Sequence, residues 1–168
     1  GHHVEEIEPP FRDKEGLRMF TGVFGPMVCA QAAVGQMIHG REPGPEDVEK
    51  LTLWLWEQCK GIDSIAAYGA LVQVQALGRQ IVAWSDPYDV VVTPTLAEPP
   101  VTIGTLDPDG DDPRATFARA GAFTPYTAGM NISGQPAISV PLSQDDDGLP
   151  IGVQLIGRPN SEGLLLAV

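Results

Sequence analysis

The chain has 168 residues, 43% of them hydrophobic, which is enough to bury a core and excludes a disordered polar chain. Ten Lys and Arg against 22 Asp and Glu leave a formal charge of −12, so nucleic acid and anionic membrane surfaces are excluded as natural partners. No apolar run approaches the roughly 18 residues of a membrane span, and no charged-then-apolar signal opens the sequence.

Gly1-His2-His3 reads either as the stub of a purification tag or as natural chain. Val4 to Glu8 reads as a short strand ended by Pro9-Pro10. Asp13 then caps a helix in which Leu17, Phe20, Phe24, Met27, Gln31, Val34 and Ile38 recur at three- and four-residue steps. All are apolar except Gln31. Gly25-Pro26 interrupts the pattern and predicts a kink or two helices, because proline removes a helix hydrogen bond. His39 falls at the helix C-terminus.

Gly44-Pro45-Glu46-Asp47 reads as the start of the next helix, closed by Lys60 and Gly61. A third helix begins at Asp63 or Ser64, with Ala67, Leu71, Val74, Leu77, Ile81 and Trp84 as its inward stripe. Val90-Val91-Val92-Thr93 is a β-branched run apolar on both faces, which predicts a central strand covered by helices on each side. Residues 94 to 113, rich in proline and acids, read as a long surface loop, and Arg114 to Phe123 as a short helix. Ala137 to Val140 reads as another buried strand. The polar turn Ser143 to Gly148 then joins it to a returning strand, Ile151 to Ile156, as a hairpin. Asn160 or Ser161 caps a last helix. The predicted fold class is α/β: a mixed, mostly buried β-sheet covered by helices, over residues 1–168 with no internal boundary.

Residue types alone supply no complete catalytic set. Asp107-Pro108-Asp109-Gly110-Asp111-Asp112 has Asp112 and Ala118 where a calcium loop needs Gly and Glu, so it reads as a solvated acidic turn. Asp145-Asp146-Asp147-Gly148 reads the same way. There is no G-x-S-x-G elbow, no phosphate loop and no H-E-x-x-H, and no metal or cofactor is expected. Cys29 and Cys59 lie in apolar helical patterns without metal spacing and read as small buried residues with free thiols, which suits a reducing, cytoplasmic compartment.

Three passages carry a resemblance. Tyr88-Asp89-Val90-Val91-Val92-Thr93-Pro94-Thr95 resembles the D-V-L-L-T-P-T segment of amidase-signature hydrolases. Phe123-Thr124-Pro125-Tyr126-Thr127, followed by Asn131-Ile132-Ser133-Gly134-Gln135-Pro136-Ala137, is similar to that family's F-x-x-x-T-x-x-x-N-x-x-G-x-P-A stretch. Gly148-Leu149-Pro150-Ile151-Gly152-Val153-Gln154 is similar to its G-L-P-x-G-x-Q strand, and Glu162 to Leu166 looks like the start of its closing helix. Gly1-His2-His3-Val4-Glu5-Glu6 is similar to the family's L-G-H-x-V-E passage, which favours natural chain over a tag.

The resemblance implies the C-terminal part of an amidase. Family members hydrolyse amides, sometimes esters, with a Ser nucleophile completed by a second Ser and a Lys. All three lie in a Gly/Ser-rich region that has no counterpart here, so no catalytic residue carries over, and this chain alone is expected to be inactive. Lys14, Lys50 and Lys60 lie outside the family's catalytic context. Substrate contacts are assigned to Thr127 and Asn131, four residues apart beside the cleft, and to Cys29 on a helix that borders the acyl pocket. Hydrogen bonds from Thr127 and Asn131 to the local backbone, and a core thiol at Cys29, are the alternatives. The implied partners are a small-molecule amide, the missing N-terminal half and further copies of the chain. The other reading of function is a non-catalytic binding or scaffold subunit built on the same fold.

Overall fold

The computed structural model describes residues 1–10 and 14–167. Asp13, expected to cap the first helix, lies outside them, as do the side chains of Leu17 and Phe20. Three long helices come first: α1 (Lys14–His39), α2 (Lys50–Cys59) and α3 (Ser64–Ser85). Strand β1 (Val90–Pro94), helices α4 (Pro113–Phe123) and α5 (Ala128–Ser133), the hairpin β2 (Ala137–Gln144) and β3 (Pro150–Gly157), and α6 (Glu162–Leu165) follow.

Helix α1 runs unbroken through Pro26, so the expected division into two helices does not occur. It ends at His39, with Gly40 at φ +71°. Gly25 is buried against α2, where a Cβ would overlap the Cys59 sulfur. Helix α2 begins at Lys50 rather than at Gly44. Residues 45–47 form a turn instead, because the Asp47 carboxylate is taken by Arg41 (2.6 and 2.8 Å) and by the Gly44 N–H (2.8 Å).

The open N–H groups of α2 find partners far along the chain. The Lys50 N–H donates to Asp109 Oδ1 (3.1 Å) and the Leu51 N–H to the Pro108 carbonyl (2.9 Å). The acidic segment 107–112 therefore caps one helix with Asp109 and another with Asp112, whose carboxylate accepts from Ala115 N in α4 (2.9 Å). Trp54 meets Phe117 at 6.1 Å between ring centroids, tying α2 to α4. Helix α3 starts where expected: Asp63 accepts from the N–H groups of Ile65 and Ala66.

The sheet has the order β1-β3-β2 and is antiparallel throughout. This corrects the expectation of a central, doubly covered β1. Among the described residues the middle strand is β3, and β1 pairs only with it. Register places Val91, Ile156 and Ala137 in one row and Val92, Leu155 and Ile138 in the next, so these rows face opposite sides. Val91 and Ile156 form the core with Leu77 and Ile81 of α3 and Met130 of α5. Ile7, Trp84, Tyr88 and Ile132 pack around it. On the other face Val92 is 60% exposed, and α6 meets the sheet where Leu165 approaches Gly157. Ala137 to Val140 alternates exposed and half-buried positions rather than being buried throughout: the half-buried Ile138 and Val140 lie on the Val92 face, which α6 meets, while Ala137 and Ser139 on the opposite face are exposed.

The hairpin turn is as expected. Asp145 Oδ1 accepts from the N–H groups of Asp147 and Leu149, and Gly148 takes φ +79°. A register shift between Pro141 and Ser143 leaves Leu142 unpaired and 69% exposed. The segment Val4 to Glu8, expected as a strand, joins no ladder among the described residues. Its Ile7 packs on the core, and Glu5 accepts a hydrogen bond from the Tyr88 hydroxyl (3.3 Å).

Candidate functional site

Thr127 caps α5, and the Asn131 N–H donates to its carbonyl (3.3 Å), so the two residues lie one helical turn apart on one face. The Thr127 hydroxyl reaches the Thr124 carbonyl at 3.5 Å, a long contact. The Asn131 side chain is exposed and has no hydrogen-bond partner among the described residues. Gly134 ends α5 at φ +70°, and a Cβ there would meet nothing within 4 Å. Its role is the left-handed cap of α5.

A polar row on the sheet lies beside α5. Gln154 of β3 is 4% exposed, and its Nε2 donates to Thr93 Oγ1 (3.0 Å) and toward the Tyr126 carbonyl (3.4 Å). One amide thus links the middle strand, β1 and the residue before Thr127. Next to it the hydroxyls of Thr95 and Ser139 share a 2.6 Å hydrogen bond. Gly152 lies under both oxygens, and a Cβ there would come within 2.8 Å of each. The sheet face is therefore apolar beneath α3 and polar beside the Thr127–Asn131 turn.

Cys29 lies elsewhere. Its thiol points at the Trp56 carbonyl of α2 (3.8 Å), and Cys59 is its electrostatic neighbour. Burial pushes the Cys29 thiol pKa up, and Cys59 adds to the shift. Burial alone raises Cys59. Neither thiol is a ready nucleophile. On the adjoining face of the same helix pair is a cavity of about 500 Å³. Val28, Ala32 and Gly35 of α1 form one wall and Val48 and Trp56 the other, with Gln31 and Gln36 among the polar lining groups; Cys29 does not line it.

No acid–base pair for acyl transfer is assembled among the described residues. Lys50 pairs with Asp111 (3.1 Å) and Lys60 with Glu42 and Glu57 (3.1 and 2.9 Å). Hydrogen bonds to Glu57 and then Glu42 hold the Lys60 pKa above its usual value, the opposite of what a lysine base requires. Three serine hydroxyls are spent on structure: Ser85 on the Val82 carbonyl, Ser161 on the Arg158 carbonyl and Ser139 on Thr95. No grouping of three or more His, Cys, Asp or Glu that could hold a metal occurs among the described residues.

The family model described as Amidase matches residues 60–166. This chain belongs to the amidase family. The match covers α3, the sheet and the Thr127–Asn131 turn. Among curated relatives, the proposed amidase AmiC of Mycobacterium tuberculosis (strain ATCC 25618 / H37Rv) is 32% identical over 99% of this chain and 34% of its own length. The 6-aminohexanoate-cyclic-dimer hydrolase of Paenarthrobacter ureafaciens is 28% identical over 100% of this chain and 36% of its own. A solved structure of 6-aminohexanoate cyclic dimer hydrolase superposes with a TM-score of 0.85 at 25% identity, covering 99% of this chain and 36% of that one. A bacterial aryl acylamidase of the amidase-signature family shares the fold, with a TM-score of 0.76 at 20% identity over 99% of this chain and 35% of that one. The amidase chain thus spans about a third of the length of the curated relatives it matches. The resemblance of the three sequence passages is borne out at the level of family and fold.

Sequence reasoning missed two features of the amidase chain. Gln154 was read only as part of a matching strand, although a lone amide in an apolar run is a signal for a buried polar link. Gln31 was noted as the one polar member of the α1 stripe, and that interruption marks the cavity wall.

Proposed function

We propose that this chain is the C-terminal part of an amidase that cleaves carboxylic amide bonds, and some esters, with a Ser/Ser/Lys set supplied by sequence outside residues 1–168. The observation that carries it is the family match over residues 60–166, combined with the ion pairs that hold the side chains of Lys50 and Lys60. In such a reaction a serine oxygen bonds to the amide carbon and the C–N bond breaks. The amine leaves with a proton, and water then releases the acid from the acyl-serine. Backbone N–H groups hold the oxyanion.

The chain's own part is positioning. Gln154 pins the Thr127–Asn131 turn to the sheet, and Asn131 offers an uncommitted amide to the substrate's polar group. Cys29 stands behind the Trp56 wall and shapes the acyl side of the cleft through it. The exposed apolar residues of α1 and α3, among them Met27, Val34, Ile65 and Val72, are the seat of the catalytic portion, as are the unpaired outer sides of β1 and β2. The substrate is a small neutral amide, by analogy with the relatives' names. Free thiols, and the absence of a helix long and apolar enough to cross a membrane among the described residues, support a cytoplasmic location.

In the complete polypeptide, Asn131→Ala should raise KM for an aryl amide about 2- to 12-fold, the equivalent of one hydrogen bond, with an unchanged melting temperature. Cys29→Leu should change the preference among acyl chain lengths. Unchanged KM in the first variant, or a loss of thermal stability alone in the second, contradicts these assignments.

A further inference from the structure

We propose that the cavity between α1 and α2 is a binding site for a small neutral molecule that carries an amide or lactam group on an apolar body. Its volume, about 500 Å³, is in the range of small-molecule pockets. The body has apolar walls to meet: Val28, Ala32 and Gly35 on one side, Val48 and Trp56 on the other. Both cations at the rim are taken, Arg41 and Lys60 standing against the four carboxylates of Glu42, Glu46, Asp47 and Glu57. Arg41 is bound by Asp47 (2.6 and 2.8 Å) and Glu46 (3.1 Å), and Glu42 by Lys60 (3.1 Å). A carboxylate would find no free cation there, would face the excess of acid and would lose its hydration.

What remains uncommitted is amide-like. Gln31 and Gln36 line the cavity with no hydrogen-bond partner among the described residues, and each offers a donor and an acceptor. An amide supplies a carbonyl for a glutamine N–H and an N–H for a glutamine oxygen. Ligands of this class are what an amidase meets, so the inference rests on the proposed function for its ligand, but it is read by binding and not by turnover.

The test is saturation-transfer NMR on the complete polypeptide, with ε-caprolactam and cyclohexanecarboxamide as probes and cyclohexanecarboxylate as the charged control. Both amides should saturate with a Kd on the order of 1 mM, as expected for ligands of this size, and the carboxylate should bind at least tenfold more weakly. Ala32→Phe, which fills the cavity from α1, should abolish binding. Gln36→Leu, which keeps the volume, should weaken it roughly 3- to 10-fold, the equivalent of one hydrogen bond. If Ala32→Phe fails to fold, Gln36→Leu decides. Absence of saturable binding, equal binding of the carboxylate, or unchanged affinity in the folded variants overturns the proposal. Hydrolysis of an aryl amide by the same sample is scored separately, so loss of the hydrolase reading leaves this result standing.

Discussion

At Gly25 and Gly78 the chain passes so close to its neighbours that one methyl group has no room. A Cβ on Gly78 of α3 would lie 2.9 Å from the Ile132 carbonyl oxygen of α5, which is backbone and cannot turn aside. Gly78→Ala should therefore destabilise the fold by about 1–3 kcal/mol despite alanine's better helix propensity, measured by chemical denaturation. Gly25→Ala meets a side-chain sulfur instead, so adding Cys59→Ala should restore most of the loss. Recovery absent from the double variant would show that the clash is elsewhere.

The raised thiol pKa values make a second prediction at this scale. Cys29 and Cys59 should alkylate far more slowly than free cysteine at pH 8 in the native protein and at the ordinary rate once unfolded. Asp47 provides a third. The hydrogen bond from Arg41, then that from the Gly44 N–H, lowers its pKa below the ordinary aspartate value. A carboxylate with a depressed folded pKa stabilises above its unfolded pKa and loses that contribution as pH falls through the folded value. The melting difference between wild type and Asp47→Asn should thus be present at neutral pH and vanish in strong acid. A difference that grows on acidification would contradict it.

Among the elements, helix α3 and the β2–β3 hairpin were legible because their signals are local: the Asp63 cap and the Asp145–Gly148 turn lie next to what they organise. The start of α2 was not legible. Gly44 to Asp47 has the composition of a helix N-terminus, but Asp47 is taken by Arg41, and the true cap is Asp109, 59 residues away. The same distance hid the purpose of the acidic loop, which in sequence resembles a solvated turn. Asp109→Ala should cost about 0.5–2 kcal/mol, the usual price of a lost helix cap, and added calcium should not alter the melt of either protein. Strand position also escaped the sequence reading. Val90-Val91-Val92 is apolar on both sides, yet β1 is an outer strand with Val92 exposed, since periodicity reports composition and not the neighbours a strand acquires.

For the molecule as a whole, family membership was readable because the three passages around Thr93, Asn131 and Gln154 are short, ordered and brought together on one side of the sheet. The cavity was not, since its walls come from two helices and the turn between them. The relatives are about three times as long, and the strand edges and apolar helix faces left open among the described residues are where we propose that further chain packs. The central claim is that this third positions substrate while the chemistry is supplied from outside residues 1–168. The most direct measurement is aryl-amide hydrolysis by the 168-residue chain alone beside the complete polypeptide, each freed of contaminating esterase. Turnover by the complete polypeptide and none by the chain is the predicted result. Turnover by the chain itself would contradict the account.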